Sequence, residues 1–314
     1  MKKFQKMAMI ALLAISTIAC DSDDDAAPAP QTITDIAVAN PDFSILVEAL
    51  TITDLAGVLD APGSYTVFAP TNDAFNDLLD GADIEDVPVS TLKAILLNHV
   101  IGTEIKSNAI PAATYVSTLS PFSSATNSPT ISMYVTKSGT TVTLNGGVDN
   151  DGAVVTTADI DASNGVIHVV NAVIGIPTIV NHAIANPAFT TVTGLLVQQG
   201  LAGTLDGTEG APFTVFAPVN SAFSTAVLGI YNSLSSTNKT NVLLYHVVGG
   251  ANVRSNAIPS GNISTLFTPQ TFSITGTSIN DAGSTVNKNI IVTDVQCSNG
   301  IVHAIDGVLL PSFP

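Results

Sequence analysis

The chain repeats itself at long range, and that repetition limits its architecture more than any other feature. The run YTVFAPTNDAF at Tyr65–Phe75 returns as FTVFAPVNSAF at Phe213–Phe223. LLNHVIG at Leu96–Gly102 returns as LLYHVVG at Leu243–Gly249, and SNAIP at Ser107–Pro111 returns unchanged at Ser255–Pro259. NGVIH at Asn164–His168 returns as NGIVH at Asn299–His303, and NPDF at Asn40–Phe43 as NPAF at Asn186–Phe189. The order is kept, and the offset stays near 147 residues until the last block, where the second copy is about a dozen residues shorter. A period this long means two complete domains rather than a solenoid, because each copy is large enough to bury its own core. The domains run over residues 32–178 and 179–314, with almost no linker between them.

Composition agrees with two packed cores. Hydrophobic residues make up 46% and charged residues 11%, which excludes a disordered chain. The net charge is −16, and three of the nine basic residues (Lys2, Lys3, Lys6) sit at the extreme N-terminus. A surface this acidic repels phosphate backbones, so nucleic acid is excluded as a partner, and lying flat on anionic lipid is disfavoured.

The N-terminus reads as a targeting segment. A basic stretch to Lys6 precedes an apolar run, Met7–Ile15, too short for a membrane span. Ala19 before Cys20 resembles the signal of a bacterial lipoprotein. That resemblance implies cleavage of residues 1–19 and acylation of Cys20; an ordinary secretory peptide is the alternative. The acidic run Asp21–Asp25 reads as a solvated spacer and also resembles the surface-export signal of Bacteroidetes lipoproteins. Residues 20–31, ending in Ala-Pro repeats, form a short extended tether.

Within one copy the pattern changes from helical to strand-like. Asn40 and Pro41 begin a helix with Phe43, Leu46, Val47 and Leu50 on one face, and a second short helix covers Thr53–Leu59. Tyr65–Ala69 is a buried strand stopped by Pro70. Asn72 is expected to cap a helix through Leu79, and Ser90 to begin another. Strands follow at Tyr115–Leu119, Ile131–Thr136, Thr141–Leu144, Val154–Ile160 and Val166–Ile174. Helices first and strands later make the class α+β.

These motifs together resemble fasciclin (FAS1) domains. The Thr66–Phe75 block is similar to the family's first signature, and Asn164–Pro177 to its second. The His99 and Tyr245-His246 segments are similar to the Tyr-His motif between them. The resemblance spans residues 32–313 and implies two tandem domains, each a β-wedge or sandwich with flanking short helices. It implies a role in adhesion or matrix contact and no conserved catalytic apparatus. His99, Tyr245 and His246 become the candidate binding segment. Three positions depart from the pattern: Val219 replaces the signature Thr, Asn98 replaces the Tyr of the Tyr-His pair, and Asn171 stands where copy two has Asp306.

The remaining polar residues point to architecture. His99 and His246 end helices among Leu and Val, while His168 and His303 lie inside apolar strands, so all four read as core histidines with satisfied rings. His182 lies at the junction and has no counterpart in copy one. Histidines tens of residues apart make no metal site, and no metal or cofactor is expected. Asp149–Gly152 lacks the further ligands of a calcium loop and reads as a hairpin turn. Asp159 and Asp294 are expected to cap the Asn-Gly turns that follow them. Cys297, whose sole possible partner Cys20 belongs to the leader region, reads as a small core residue. No serine elbow, zinc-protease pair or phosphate loop is present.

The sequence therefore points to a non-catalytic outer-membrane lipoprotein, displayed at the cell surface and binding an extracellular protein, matrix or glycan. The competing readings are an enzyme or accessory subunit acting on extracellular polysaccharide, and a purely structural envelope spacer.

Overall fold

The computed structural model describes residues 30–313. The leader, Cys20 and the acidic run lie outside the described residues. The first copy contains seven strands: β1 (Tyr65–Pro70), β2 (Val100–Ile101), β3 (Ala113–Pro121), β4 (Thr130–Ser138), β5 (Thr141–Leu144), β6 (Ala153–Ala162) and β7 (Gly165–Val170). The second copy repeats them as β8 (Phe213–Pro218), β9 (Val247–Val248), β10 (Gly261–Ser264), β11 (Thr271–Thr275), β12 (Ser278–Asn280), β13 (Lys288–Cys297) and β14 (Gly300–Ile305). Each set forms one sheet in the same order, β2-β1-β7-β6-β5-β4-β3 and β9-β8-β14-β13-β12-β11-β10. The first and last strands of a copy pair in parallel at its centre, β1 with β7 and β8 with β14, and every other pairing is antiparallel. β3 curls back beside β2, so each sheet nearly closes into a wedge.

The central strand is buried on both faces, which is why it reads as a continuous apolar run. Val67 and Ala69 point to a core under the helices with Phe43, Leu50 and Leu96, while Phe68 points into the wedge with Met133, Leu144 and Ile174. In copy two Val215 and Phe216 divide the same way. The Asn-Gly turn permits the parallel pairing. A Cβ on Gly165 would stand 2.1 Å from the Tyr65 carbonyl oxygen, and one on Gly300 2.2 Å from that of Phe213. Asn164 then ties the turn to the helical layer. Its Oδ1 accepts from Ile33 N (3.0 Å), and its Nδ2 donates to the Leu59 (2.6 Å) and Ala61 (3.1 Å) carbonyls. Asn299 does the same for Ile179, Leu205 and Gly207.

Several local expectations are corrected. A helix at Ile33–Ala39 precedes Asn40, held by a capping box between Thr32 and Asp35, and Thr178 caps its counterpart at Ile179–Ala185. The helix at Asn72–Leu79 is capped by Thr71, not Asn72. Asn72 instead reaches across to Ile45 N (3.0 Å), the Pro41 carbonyl (2.9 Å) and Ser44 Oγ (3.0 Å), stapling the strand end to the next helix layer. Asn220 repeats this staple on Thr191 and Pro187. Val219 at the cap position has no oxygen to offer, and copy two forms only a 3-10 turn, Asn220–Ala222, there. The second short helix is Ala56–Asp60, and β7 stops at Val170 rather than Ile174. Asn171 and Asp306 do one job: each accepts from the backbone N–H of the strand opposite, Val154 (2.8 Å) and Asn289 (2.6 Å).

The copies meet through neutral polar groups. Gln296 N on β13 donates to Ser132 Oγ on β4 (3.0 Å), and Asn150 Nδ2 donates to the Asn181 carbonyl (2.9 Å). Asn186 joins two tyrosines of copy one, accepting from Tyr134 OH (3.3 Å) and donating to Tyr115 OH (3.2 Å). The Asp149–Gly152 segment forms the turn that brings Asn150 to this joint, with a short 3-10 stretch at Val148–Asn150.

Candidate functional site

The motif that recurs unchanged, Ser-Asn-Ala-Ile-Pro, forms the lip of a cleft. The chain leaves β2 and must return to β3 around the open edge of the wedge. Three anchors hold that loop in place. Thr66, fully buried on β1, donates to the Thr103 carbonyl (2.7 Å) and accepts from Ile105 N (2.8 Å). His168 on β7 binds the Ile105 carbonyl through Nε2 (2.9 Å). Asp159 receives both the backbone N–H (2.7 Å) and the hydroxyl of Ser107.

Asp159 reaches the lip because β6 bulges there and gives it a left-handed φ of 61°, a conformation that Asp tolerates better than most side chains. The expected cap on the Asn-Gly turn is therefore not made: the bulge turns the carboxylate away from it. Burial alone opposes ionisation of Asp159, but the two Ser107 hydrogen bonds outweigh it and hold the carboxyl below its usual range. Copy two repeats each anchor. Thr214 holds Ala251 and Val253, His303 holds the Val253 carbonyl (2.9 Å), and Asp294, also at φ 61°, holds Ser255.

Ser107, Asp159 and His168 have the composition of a hydrolytic triad without its geometry. The serine hydroxyl bonds the aspartate, not the imidazole. His168 Nδ1 accepts from Asp159 N (3.1 Å), so its proton lies on Nε2 and is spent on the Ile105 carbonyl. No imidazole faces the hydroxyl, so the serine–histidine relay of a hydrolytic triad is not assembled.

Between the lip and the wedge edge lies an apolar cleft of about 340 Å³ in copy one and about 270 Å³ in copy two. Phe68 and Phe216 form the floors, each ring stacked on a histidine 5.5 Å away. Ile101, Ile105 and Ile110 line the first cleft at the positions that Val248, Val253 and Ile258 take in the second, with Pro111 and Pro259 at the lips. The rims differ: Glu104 and Thr114 border the first cleft, whereas Asn262 and Ser264 border the second. The sequence held a signal for this site, the Ser-Asn-Ala-Ile-Pro block identical in both copies, but its role emerges only when β2 and β3 are brought together.

The candidate segment His99, Tyr245 and His246 lies inside the protein at 2%, 0% and 4% exposure. His99 donates from Nδ1 to the Ile95 carbonyl (2.8 Å) and accepts at Nε2 from Ile174 N (2.9 Å). His246 makes the same pair with Val242 and Leu309. Burial lowers both imidazoles to about 4, only partly offset by those carbonyls. Tyr245 OH donates to the Thr271 carbonyl (2.6 Å), while Asn98 in its place donates to Gly175 (2.9 Å). These side chains splice helix ends to the last strand segment and offer no surface to a macromolecule. Cys297 is fully buried and its thiol is pushed up by burial, so it is not a nucleophile. Among the described residues no three His, Cys, Asp or Glu side chains converge on a metal position, and no helix is long and apolar enough to cross a membrane.

Comparison with known proteins places these features. The Fasciclin domain model matches residues 41–177 and again 187–311. Protein sll1483 of Synechocystis sp. is 37% identical over 144 residues, 46% of this chain and 72% of that protein. Transforming growth factor-beta-induced protein ig-h3 of Sus scrofa is 26% identical over 267 residues, 81% of this chain but 35% of that protein, so the chain spans about a third of its length. A solved FAS1 domain pair from the insect cell adhesion molecule Fasciclin I is 18% identical, with a TM-score of 0.49 over 88% of this chain and 95% of that one.

Proposed function

The chain belongs to the fasciclin domain family, and from that membership we propose that it is a non-catalytic adhesion or matrix-binding protein that grips its partner through the lipped cleft of each copy. The observation that carries this reading is the recurrence of the cleft together with every anchor of its lip. A lip already tied down by buried hydrogen bonds loses little freedom on binding, which favours affinity. Two such clefts on one chain raise avidity when both engage the same surface. Both ring nitrogens of each cleft histidine are engaged by backbone groups.

The partner is an extracellular protein, matrix polymer or glycan, and not nucleic acid. The chain is held at the outer-membrane surface by acyl chains on Cys20, with the acidic run as spacer. Metabolic labelling with a palmitate analogue tests the anchor: label should enter the wild type and be absent from Cys20→Ala. Beads coated with the purified protein test adhesion on a matrix and glycan panel. Ala109→Trp together with Asn262→Trp fills both clefts from exposed positions and should abolish bead retention while the melting temperature stays unchanged. Undiminished retention by the double variant removes the clefts from the reading, and absence of retention by the wild type removes adhesion. Turnover of a polysaccharide or ester would favour the enzymatic alternative.

A further inference from the structure

Five histidines lie in the described residues, and four use both ring nitrogens in hydrogen bonds within their own copy. His182 is the exception. It is 1% exposed, and neither ring nitrogen has a hydrogen-bond partner. It also lies between the copies rather than inside one. The aligned capping boxes at Thr32 and Thr178 put Ile36 at its position in copy one. An isoleucine would fill this place without the desolvation cost of two unpaired nitrogens.

The groups around His182 are neutral on nearly every side. From β3, Tyr115 presents its ring edge-on at 5.4 Å. From β4, the Ser132 main chain approaches without reaching hydrogen-bond geometry, and Tyr134 stands beside Tyr115, 4.8 Å between ring centroids. Its own helix supplies Asn181 and Asn186, and β13 supplies Gln296 and Cys297. The copy-one turn supplies Asn150 and one carboxylate, Asp151, which accepts from Asn181 Nδ2 at 3.4 Å. On the copy-two side His246 lines the same small cavity, of about 40 Å³, and is itself neutral with both nitrogens bonded. No anion pairs with the ring, so a proton on it would be a buried charge without a counter-ion.

We propose that His182 is an acid-operated release for the joint: protonating it separates the two copies without unfolding either. Copy one covers the ring with Tyr115 and the Ser132 main chain, so parting the copies gives the imidazole to water while each wedge keeps its core. Burial lowers the closed-state imidazole from 6.5 to about 4. The closed joint therefore gains its full stabilisation above pH 6.5 and loses it as pH falls towards 4. At pH 4.5 the open-to-closed ratio rises about 60-fold over its value at pH 7. Protonation of His99 or His246 weakens a copy and not the joint, because all of their partners lie in one copy. If the clefts bind as proposed above, release would cost avidity by freeing their relative placement; the release itself does not depend on that reading.

Hydrogen exchange of the full chain at pH 7 and pH 4.5, corrected for intrinsic rates, tests the proposal. In the wild type, the amide of Gln296, whose N–H crosses the joint to Ser132 Oγ, should gain about 60-fold in exchange at pH 4.5, while the amides of β1 and β8, which open only when a copy unfolds, stay better protected. His182→Ile should remove that increment. An equal increment at Gln296 in His182→Ile, or a wild-type Gln296 amide that exchanges no faster than those of β1 and β8 at pH 4.5, overturns the proposal. Small-angle scattering of the wild type is a readout that needs no variant. The maximum dimension should lengthen reversibly at pH 4.5 with unchanged far-UV circular dichroism, and an unchanged dimension also overturns it.

Discussion

Replacing Asn164 by alanine tests whether one side chain ties the sheet to the helical layer. Three hydrogen bonds would be lost, but they are not equivalent. Ile33 and Leu59 are buried, so the Ile33 N–H and the Leu59 carbonyl would be left without water or partner. Each such orphan costs about 1–3 kcal/mol. Ala61 is half-buried, and water can replace the side chain at its carbonyl for little cost. The expected loss is therefore about 4 kcal/mol, on the order of half of a typical domain's stability. Asn164→Asp sharpens the test. It keeps an oxygen for Ile33 N but turns the other against two carbonyls, and it buries a charge, so at pH 7 it should cost at least as much as alanine. Urea unfolding followed by far-UV circular dichroism measures both, with Asn299→Ala as the copy-two counterpart. A loss below about 1 kcal/mol for Asn164→Ala, or wild-type stability for Asn164→Asp, would refute the reasoning.

Three further outcomes are expected. Thr71→Val copies the residue found at 219 and should cost about 1 kcal/mol, with loss of helical signal as the Asn72–Leu79 start reverts towards a 3-10 turn. Gly165→Ala forces a Cβ onto the Tyr65 carbonyl and should cost about 4 kcal/mol or more, read as a large fall in melting temperature or as insoluble protein. His99 and His246 are each lowered from 6.5 to about 4, so each contributes stability that is complete above pH 6.5 and lost as pH falls towards 4; this amounts to about 3 kcal/mol apiece, visible as a falling urea midpoint between pH 7 and 4.5.

The repeat made the architecture legible because its blocks fall on the residues that define the wedge: the doubly buried strand at Tyr65–Pro70, the histidine at the helix end, and the glycine on which the parallel pair closes. Strand positions were legible because alternation is a local property. What was not legible depends on contacts made far along the chain. Asn72 has the chemistry of a cap, and nothing nearby reveals that Ile45 and Pro41 claim it. Asp159 precedes an Asn-Gly turn, yet a bulge points it at Ser107, 52 residues upstream. Ile33–Ala39 is only seven residues long and packs against the 44–52 helix, with its first N–H held by Asn164, so periodicity alone is too weak to mark it. The cleft is a concavity between two edge strands, and no segment of sequence contains both.

The central parallel pair also determines how a copy can be made and inherited. Tyr65 meets Gly165 only after roughly a hundred residues of intervening chain, and Phe213 waits in the same way for Gly300. Closing so long a loop before its reward places most of the entropic cost early, which makes each copy a slow, all-or-none folder for its size. A chain interrupted anywhere between the paired strands leaves the middle of the sheet unzipped, with both cores open. Recombination can therefore break such a protein between copies but not within one, so copies are gained and lost only as whole units.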